Sequence, residues 1–176
     1  MSASLHNQAV RPPARRRLER GDIILAEISP SVQGQFTQIC RSAVLGRADT
    51  VDEVREKFDL LVRAMRQGME AAKPGVPVSD VVAAVNQPIE AAGYGAYCVP
   101  PYMRVRGHGL GLSALMPGNL SADNDTVLEE GMVFVLHPNQ YIPETGYLLC
   151  GEPVVITKKG AKPLTSRIAS LRNILA

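Results

Sequence analysis

The sequence predicts an α+β fold. Strand-forming runs group near both ends of the chain, and two helical patterns lie together between them. Single helices do not alternate with single strands, which argues against a doubly wound parallel sheet. With 176 residues, 45% of them hydrophobic, the chain is long enough to bury a sizeable core in one domain. We expect a basic extended lead-in over residues 1–20, a folded domain over 21–165 and a C-terminal tail over 166–176.

Two strand-forming runs, Ile23 to Ile28 and Phe36 to Leu45, open the folded domain. They predict an antiparallel hairpin with a short irregular connection. By the two-residue period of a strand, Glu27 shares a face with Ile23 and Leu25, so its side chain is expected to point inward. Because a buried carboxylate needs a partner, Glu27 is a candidate site residue.

Two amphipathic helices are predicted next. Apolar residues at steps of three and four begin at Val51, and the first helix should end at Lys73-Pro74-Gly75. Ser79 is expected to cap the second helix, which Pro88 should kink or shorten before it ends at Gly93.

The rest of the chain combines a glycine-rich stretch with further strands. His108 lies between Gly107 and Gly109, which lack side-chain bulk and let the backbone pass close to a ligand. A glycine-rich turn with an incidental histidine is the alternative. Three strands are predicted, the first of them ending in His137: Val133–Pro138, Tyr147–Cys150 and Val154–Thr157. Near the end, apolar residues recur at helical spacing: Ile168, Leu171 and Ile174.

Charge and cysteine content narrow the function classes. The net charge of +2 is too small to indicate nucleic acid or a membrane surface as a partner. No apolar run is long enough to cross a bilayer, and no secretory signal is visible. The arginine-rich lead-in could also be a nucleic-acid arm or a targeting peptide, but a solvated segment is the preferred interpretation. Three widely spaced cysteines fit a reducing compartment, so we expect a cytoplasmic protein.

The order of these motifs, from about residue 6 to residue 165, resembles the family of creatinase, Xaa-Pro aminopeptidase and methionine aminopeptidase. Gly107 to Leu112 is similar to the family's GHGIGL motif, and Leu128 to Pro138 to its LEPGMVFTIEP. Cys40-Arg41-Ser42 resembles the family's TRT, and residues 152–165 resemble its closing EDTVLVT segment. The resemblance implies a partial pita-bread fold, a curved antiparallel sheet with flanking helices.

The departures from the family concern its metal centre. Metal-dependent members hold two cations with two aspartates, one histidine and two glutamates. Here the corresponding positions hold, in chain order, Glu27, Gln38, His108, His137 and Gly151, with Glu152 one residue further on. Hard divalent cations need several anionic oxygens, so we expect no dinuclear metal centre and no cofactor.

Three functions remain open. The first is a metal-independent hydrolase, like creatinase, that cleaves a C–N bond in a small amide, amidine or dipeptide. In it His108 or His6 acts as general acid or base, and Glu27 orients a substrate cation or a water. His6 is included because it resembles a proton-transferring histidine of creatinase. Four residues are expected to bind substrate: His137, Gln38, Arg41 and Glu152.

The second function is that of a non-catalytic pita-bread domain that binds a ligand or a partner. The third is an Xaa-Pro peptidase-like enzyme in which His108, His137 and a carboxylate hold a single metal. A family domain carries further helices and strands before the position of His6, so the chain resembles an N-terminally shortened member. We therefore expect a homodimer, or a partner chain that supplies the missing part, around a small-molecule or dipeptide-like ligand.

Overall fold

The structure is a computed structural model that describes residues 15–46, 48–112 and 117–174, with only the backbone of residues 48–50. Its first part is an antiparallel hairpin of β1 (Asp22–Ile28) and β4 (Ile39–Leu45). The connection forms a small ribbon of its own, β2 (Ser31–Val32) and β3 (Gln35–Phe36). The predicted hairpin is therefore confirmed, and β1 lies at the edge of its sheet.

Two helices follow the hairpin. The first, α1, runs over Ala48–Ala71, and α2 runs over Val78–Ile89. The cap predicted at Ser79 is wrong, because the extended residue before α2 is Pro77, and the Ser79 hydroxyl donates instead to Asp125. The shortening effect of Pro88 is confirmed, since the α-helix ends one residue later and continues as a single wide turn over Glu90–Tyr94.

A second sheet contains the remaining long strands. β5 (Gly107–Gly109), β6 (Val133–Leu136), β9 (Glu152–Thr157) and β10 (Gly160–Pro163) are antiparallel, in the order β10-β9-β6-β5. Between β6 and β9 the chain forms a short hairpin of β7 (Gln140–Ile142) and β8 (Gly146–Leu148). The predicted α+β class is confirmed, with two helices set against antiparallel sheets.

The end of the described chain is extended. β11 (Arg172–Asn173) pairs in parallel with β4, which makes the first sheet three-stranded in the order β1-β4-β11. Ala169 and Leu171 are buried while Ser170 and Arg172 are exposed, which is the two-residue period of a strand. The helical spacing noted in the sequence is therefore not realised, because this segment uses the free edge of β4.

The core lies between the helices and the second sheet, and packing in this core fixes the position of β6 against the helices. Gly68 of α1 allows this close packing, because a Cβ there would collide with Val85 of α2 and lie 3.0 Å from Leu136 of β6. Fully buried side chains fill the layer, among them Phe58, Leu61, Met65, Val85, Phe134, Leu136 and Leu148. No helix within the described ranges is long and apolar enough to cross a membrane.

Candidate active site

Two of the predicted site residues, His108 and His137, lie together at the end of the second sheet. His108 is the central residue of β5 and pairs with Val135 of β6, and His137 follows the last residue of β6. The backbone N–H of His137 donates to the Arg106 carbonyl at 2.8 Å, which continues the pairing of the two strands. The ring centroids of the two histidines are 5.6 Å apart, with the rings edge to face.

His108 follows a glycine, Gly107, at a position that has no room for a side chain. At Gly107 φ is +150°, and a Cβ there would collide with the carbonyl oxygen of Val135. The His108 ring is half-buried, and its Nδ1 lies 2.9 Å from the Gly109 carbonyl oxygen. Since a carbonyl oxygen only accepts, this contact assigns the proton to Nδ1 and leaves the Nε2 lone pair as the basic atom.

His137 is buried and neutral. Burial, followed by the charges of His108 and Arg106, lowers the pKa of His137 to about 4. Its Nδ1 is buried and makes no hydrogen bond to any described residue. At neutral pH this ring therefore adds no charge to the site and carries a polar atom that the described fold does not satisfy.

Gly151 closes the site between His137 and Cys40. A Cβ at position 151 would lie 2.7 Å from the Cβ of His137 and 3.1 Å from the Cβ of Cys40. Real Cβ atoms essentially never make a contact as short as the one with His137, and the contact with Cys40 is tighter than nearly all real ones. Position 151 therefore cannot carry a carboxylate unless these neighbours move.

Gln38, predicted to bind substrate, is buried with its amide turned toward Cys40. The Gln38 Nε2 donates to the Cys40 Sγ at 3.7 Å, and the Asn139 Nδ2 donates to the same sulfur at 3.8 Å. Burial raises the pKa of Cys40 to about 11, so the thiol stays protonated at neutral pH. The side chain of Gln38 thus lies among the site residues as a neutral group, and its contact with substrate stays a prediction.

Glu27 lies on the predicted face of β1, since its partner Cys40 belongs to the buried face of β4. The prediction that Glu27 is buried is wrong, because its side chain is exposed, as is its neighbour Ile28. The physical reason is that β1 is an edge strand, so it has a neighbouring strand on one side only. The catalytic role predicted for Glu27 stays a prediction.

Arg41 and Glu152, both predicted to bind substrate, form an ion pair that fastens the end of the chain. The Arg41 guanidinium lies 2.8 Å from the Glu152 carboxylate, which is fully buried. The same carboxylate accepts from Thr165 Oγ1 and from the Ala169 backbone N–H, both at 2.6 Å. Through these contacts Glu152 stabilises the fold. None of the contacts supports the predicted role of Arg41 or Glu152 in substrate binding.

Five positions of the chain resemble the metal-binding positions of the family. They supply two imidazoles, one neutral amide, one exposed carboxylate and one glycine in a space too small for a side chain. No group of three or more His, Cys, Asp or Glu side chains is placed to hold an ion among the described residues. His6, the remaining catalytic prediction, lies outside the described residues.

A network behind the histidines was not predicted from the sequence. The Arg106 guanidinium is buried and donates to Asn86 Oδ1 at 2.6 Å, to the Asn139 carbonyl at 3.0 Å and to Gln140 Oε1 at 3.0 Å. Burial lowers the pKa of Arg106 to about 10. The only signal was an arginine beside the glycine-rich stretch, and its burial depends on packing against α2 and β7.

Comparisons with known proteins identify the family of the chain. The model of metallopeptidase family M24 matches residues 1–158. An Xaa-Pro dipeptidase from Pyrococcus furiosus is 33% identical over 150 residues, which are 85% of this chain and 41% of that protein. A putative dipeptidase, YkvY of Bacillus subtilis, is 34% identical over 154 residues, which are 87% of this chain and 40% of that protein.

Among solved structures, a dipeptidase from Pyrococcus horikoshii OT3 superposes with a TM-score of 0.81 at 26% identity. The superposition covers 92% of this chain and 44% of that one. This confirms the expected partial pita-bread fold, and the chain spans about two fifths of the length of the relatives it matches. The chain is therefore a peptidase-like domain that belongs to metallopeptidase family M24.

Proposed function

We propose that the chain is a hydrolase domain that cleaves a C–N bond in a small amide, amidine or dipeptide without a dinuclear metal centre. The observation that carries the proposal is the packing of Gly151 against His137 and Cys40, which leaves no space for the second bridging carboxylate. Support for hydrolysis comes from the family and from relatives that are named dipeptidases.

His108 is the general acid/base in this proposal. Its Nε2 lone pair takes a proton from a water whose oxygen adds to the carbon of the scissile bond, and the same proton passes to the leaving nitrogen as the C–N bond breaks. The neutral His137 ring, 5.6 Å away between centroids, adds no positive charge to the site. Glu27, at the exposed end of β1, and His6 are the remaining catalytic residues proposed.

The test uses the full chain and a panel of amides, amidines and Xaa-Pro dipeptides, with release of the amine or of ammonia as the readout. Hydrolysis should persist in a chelator, and His108→Gln should lower the rate by about a hundredfold or more. The exposed variant Arg63→Gln serves as the control and should keep the wild-type rate. Hydrolysis that disappears with chelator and returns with a divalent cation would refute metal independence.

A non-catalytic binding domain is the first alternative, and a specific observation favours it. The one carboxylate retained among the five family positions, Glu27, is exposed, and within the described residues no carboxylate bonds to His108. In that case ligands would bind near His108, and His108→Gln would weaken their binding, while no substrate in the panel is cleaved. The second alternative, a single metal, needs a third ligand beside His108 and His137.

The assembly and the location are also proposals. We place the protein in the cytoplasm, because all three of its cysteines are unpaired. We expect a homodimer, or a partner chain that completes the pocket, because apolar side chains are exposed around the hairpin tip, among them Ile28, Val32 and Leu112. Light scattering on the full chain tests this, and a monomer at high micromolar concentration would rule out the homodimer.

A further inference from the structure

An open groove of about 560 Å³ lies between the end of α1 and the edge strand β10. On its helical side are Arg66, Met69 and Lys73, and on the other side are Lys159 and Ala161. We call it the outer groove. Its volume falls within the roughly 300–1,000 Å³ of sites that hold a whole small ligand.

The second sheet separates the outer groove from the histidines. Its strand order puts β10 at one edge and β5, with His108, at the other, about 14 Å away at the usual spacing of strands. His108 pairs with Val135, whereas the next residue of β6, Leu136, points toward α1. Because paired residues share a face and side chains alternate along a strand, His108 lies on the face away from α1. A ligand in the outer groove therefore does not contact the proposed catalytic residues.

The two walls of the groove are held together by a backbone hydrogen bond. The Ala161 N–H donates to the Ala72 carbonyl at 2.8 Å. Gly160 permits this close approach, because a Cβ there would lie 3.3 Å from the Ala72 oxygen and 3.3 Å from the Lys73 Cγ. The stem of Lys73 thus lies against the turn that carries Lys159, and both lysines belong to the same end of the groove.

The charged groups of the groove are unpaired. Arg66, Lys73 and Lys159 are exposed, and their charged atoms make no ion pair or hydrogen bond with any described residue. Among the described residues, Glu70 is the one carboxylate in the lining. Three cations against one carboxylate leave an excess of positive charge, so an anion is the complement of this surface. Two ammonium groups at one end match the charge of about −1.5 to −2 on a phosphate monoester.

The floor of the groove is apolar. Met69, Ala161 and Pro163 are half-buried, and the first two also pack against the core. Hydrocarbon that covers such a surface gains free energy in proportion to the apolar area removed from water. The floor therefore favours a phosphate that carries an organic group over the bare ion.

We propose that the outer groove binds a small organic phosphate monoester, with Lys73 and Lys159 pairing with the phosphoryl oxygens and Met69 and Ala161 contacting the organic part. An ammonium suits this task, because it is a compact charge with three donors that can each meet a phosphoryl oxygen. The inference goes beyond the proposed function and does not depend on it, since no step at His108 involves the groove.

The experiment is an NMR-detected titration of the full chain with three probes in a phosphate-free buffer at neutral pH. Phenyl phosphate carries both features of the proposed ligand, benzoate has a smaller charge, and inorganic phosphate lacks the organic part. We expect phenyl phosphate to bind about tenfold more tightly than benzoate and about threefold more tightly than inorganic phosphate. The amide resonances of Gly160 and Ala161 should shift on binding.

Two lysine variants test the position of the phosphate. Lys159→Gln should weaken the binding of phenyl phosphate about fivefold, because one of its two ammonium partners is lost. Lys162→Gln is the matched control, since Lys162 is exposed and alternates along β10 with Ala161 and Pro163, which line the groove. Its side chain therefore lies on the other face of the sheet, and the affinity should stay unchanged.

A third variant should strengthen binding, which a misfolded protein does not do. Glu70 lies on α1 between Arg66 and Lys73, where its carboxylate repels a phosphate and competes for the cations. Glu70→Gln should therefore increase the affinity for phenyl phosphate about twofold.

Four results would overturn the inference. They are equal affinity of the wild-type protein for phenyl phosphate and benzoate, equal losses in Lys159→Gln and Lys162→Gln, weaker binding in Glu70→Gln, and no binding of phenyl phosphate at millimolar concentration. Resonance shifts at the His108 ring instead of Gly160 and Ala161 would place the phosphate at the histidines and would also contradict it.

Discussion

The backbone of Gly151 lies directly against the side chain of His137. A Cβ at position 151 would stand 2.7 Å from the His137 Cβ. Positions 137 and 151 are the two that hold glutamates in metal-dependent members of the family. The two residues that replace the glutamates are therefore in direct contact with each other. His137 has the room it needs because its neighbour is a glycine, and a side chain at position 151 would collide with the His137 Cβ.

The first prediction tests this packing. Gly151→Ala should lower the free energy of unfolding by about 1–3 kcal/mol, because the added methyl group overpacks a buried position. Urea denaturation measures the change. Gly95→Ala is the control, since a Cβ at Gly95 meets its nearest neighbour at an ordinary 3.5 Å. Equal effects of the two substitutions would contradict the tight contact.

The second prediction concerns pH. The unfolded chain protonates His137 near its ordinary pKa of 6.5, whereas the folded protein does so only near the lowered pKa of about 4. Between these values the unfolded state binds more protons, so stability falls as the pH falls, by about 3 kcal/mol in all. His137→Asn should lose this part of the pH dependence. Histidine ring resonances followed by NMR give the pKa directly, and a His137 titration near pH 6.5 would contradict the burial argument.

The third prediction concerns the Arg41–Glu152 pair. Glu152→Gln should cost about 3 kcal/mol of stability, because it leaves Arg41 without its buried counter-charge. The chain after residue 165 should also become more susceptible to limited proteolysis, since Thr165 and Ala169 both bond to the carboxylate. Glu130→Gln, at an exposed position, is the control. If Glu152→Gln leaves both the stability and the susceptibility to limited proteolysis unchanged, this would argue against a structural role of Glu152. It would favour the predicted role of Glu152 in substrate binding.

The fourth prediction concerns Arg106. Arg106→Lys should lower the free energy of unfolding by about 3 kcal/mol, because a single ammonium cannot reach three acceptors and leaves buried oxygens unsatisfied. Arg104→Lys makes the same exchange at an exposed position two residues away and should change stability by less than about 0.5 kcal/mol. Calorimetry on the two variants compares them, and similar melting temperatures would contradict the network.

The spacing of apolar residues within single segments predicted most of the fold. The hairpin of β1 and β4, the two helices and the strand that ends at His137 all follow from spacing within single segments. The end of the chain was different, because Ile168, Leu171 and Ile174 fit a helical spacing equally well. Its extended form depends on pairing with the free edge of β4, a partner more than 120 residues away in the chain. The sequence of the segment itself cannot predict pairing with such a distant strand.

The site was predicted in part, for a similar reason. The His108–His137 pair follows from the motifs, since each histidine is placed by its own strand. The exposure of Glu27 was not predictable, because a two-residue period assigns a face and does not say whether anything covers that face. The partners of Glu152 come from a segment after its own strand, and the spacing of the motifs gives no information on contacts of that kind.

The central claim, that the two-metal centre of the family is replaced here by a histidine pair, is tested most directly by the metal content of the purified protein. Elemental analysis is made on the full chain prepared without chelator and then dialysed against micromolar manganese, cobalt or zinc. The account predicts less than one bound ion per chain in every case, because the positions of the bridging carboxylates hold His137 and Gly151. Two ions per chain, lost on His108→Gln, would contradict it.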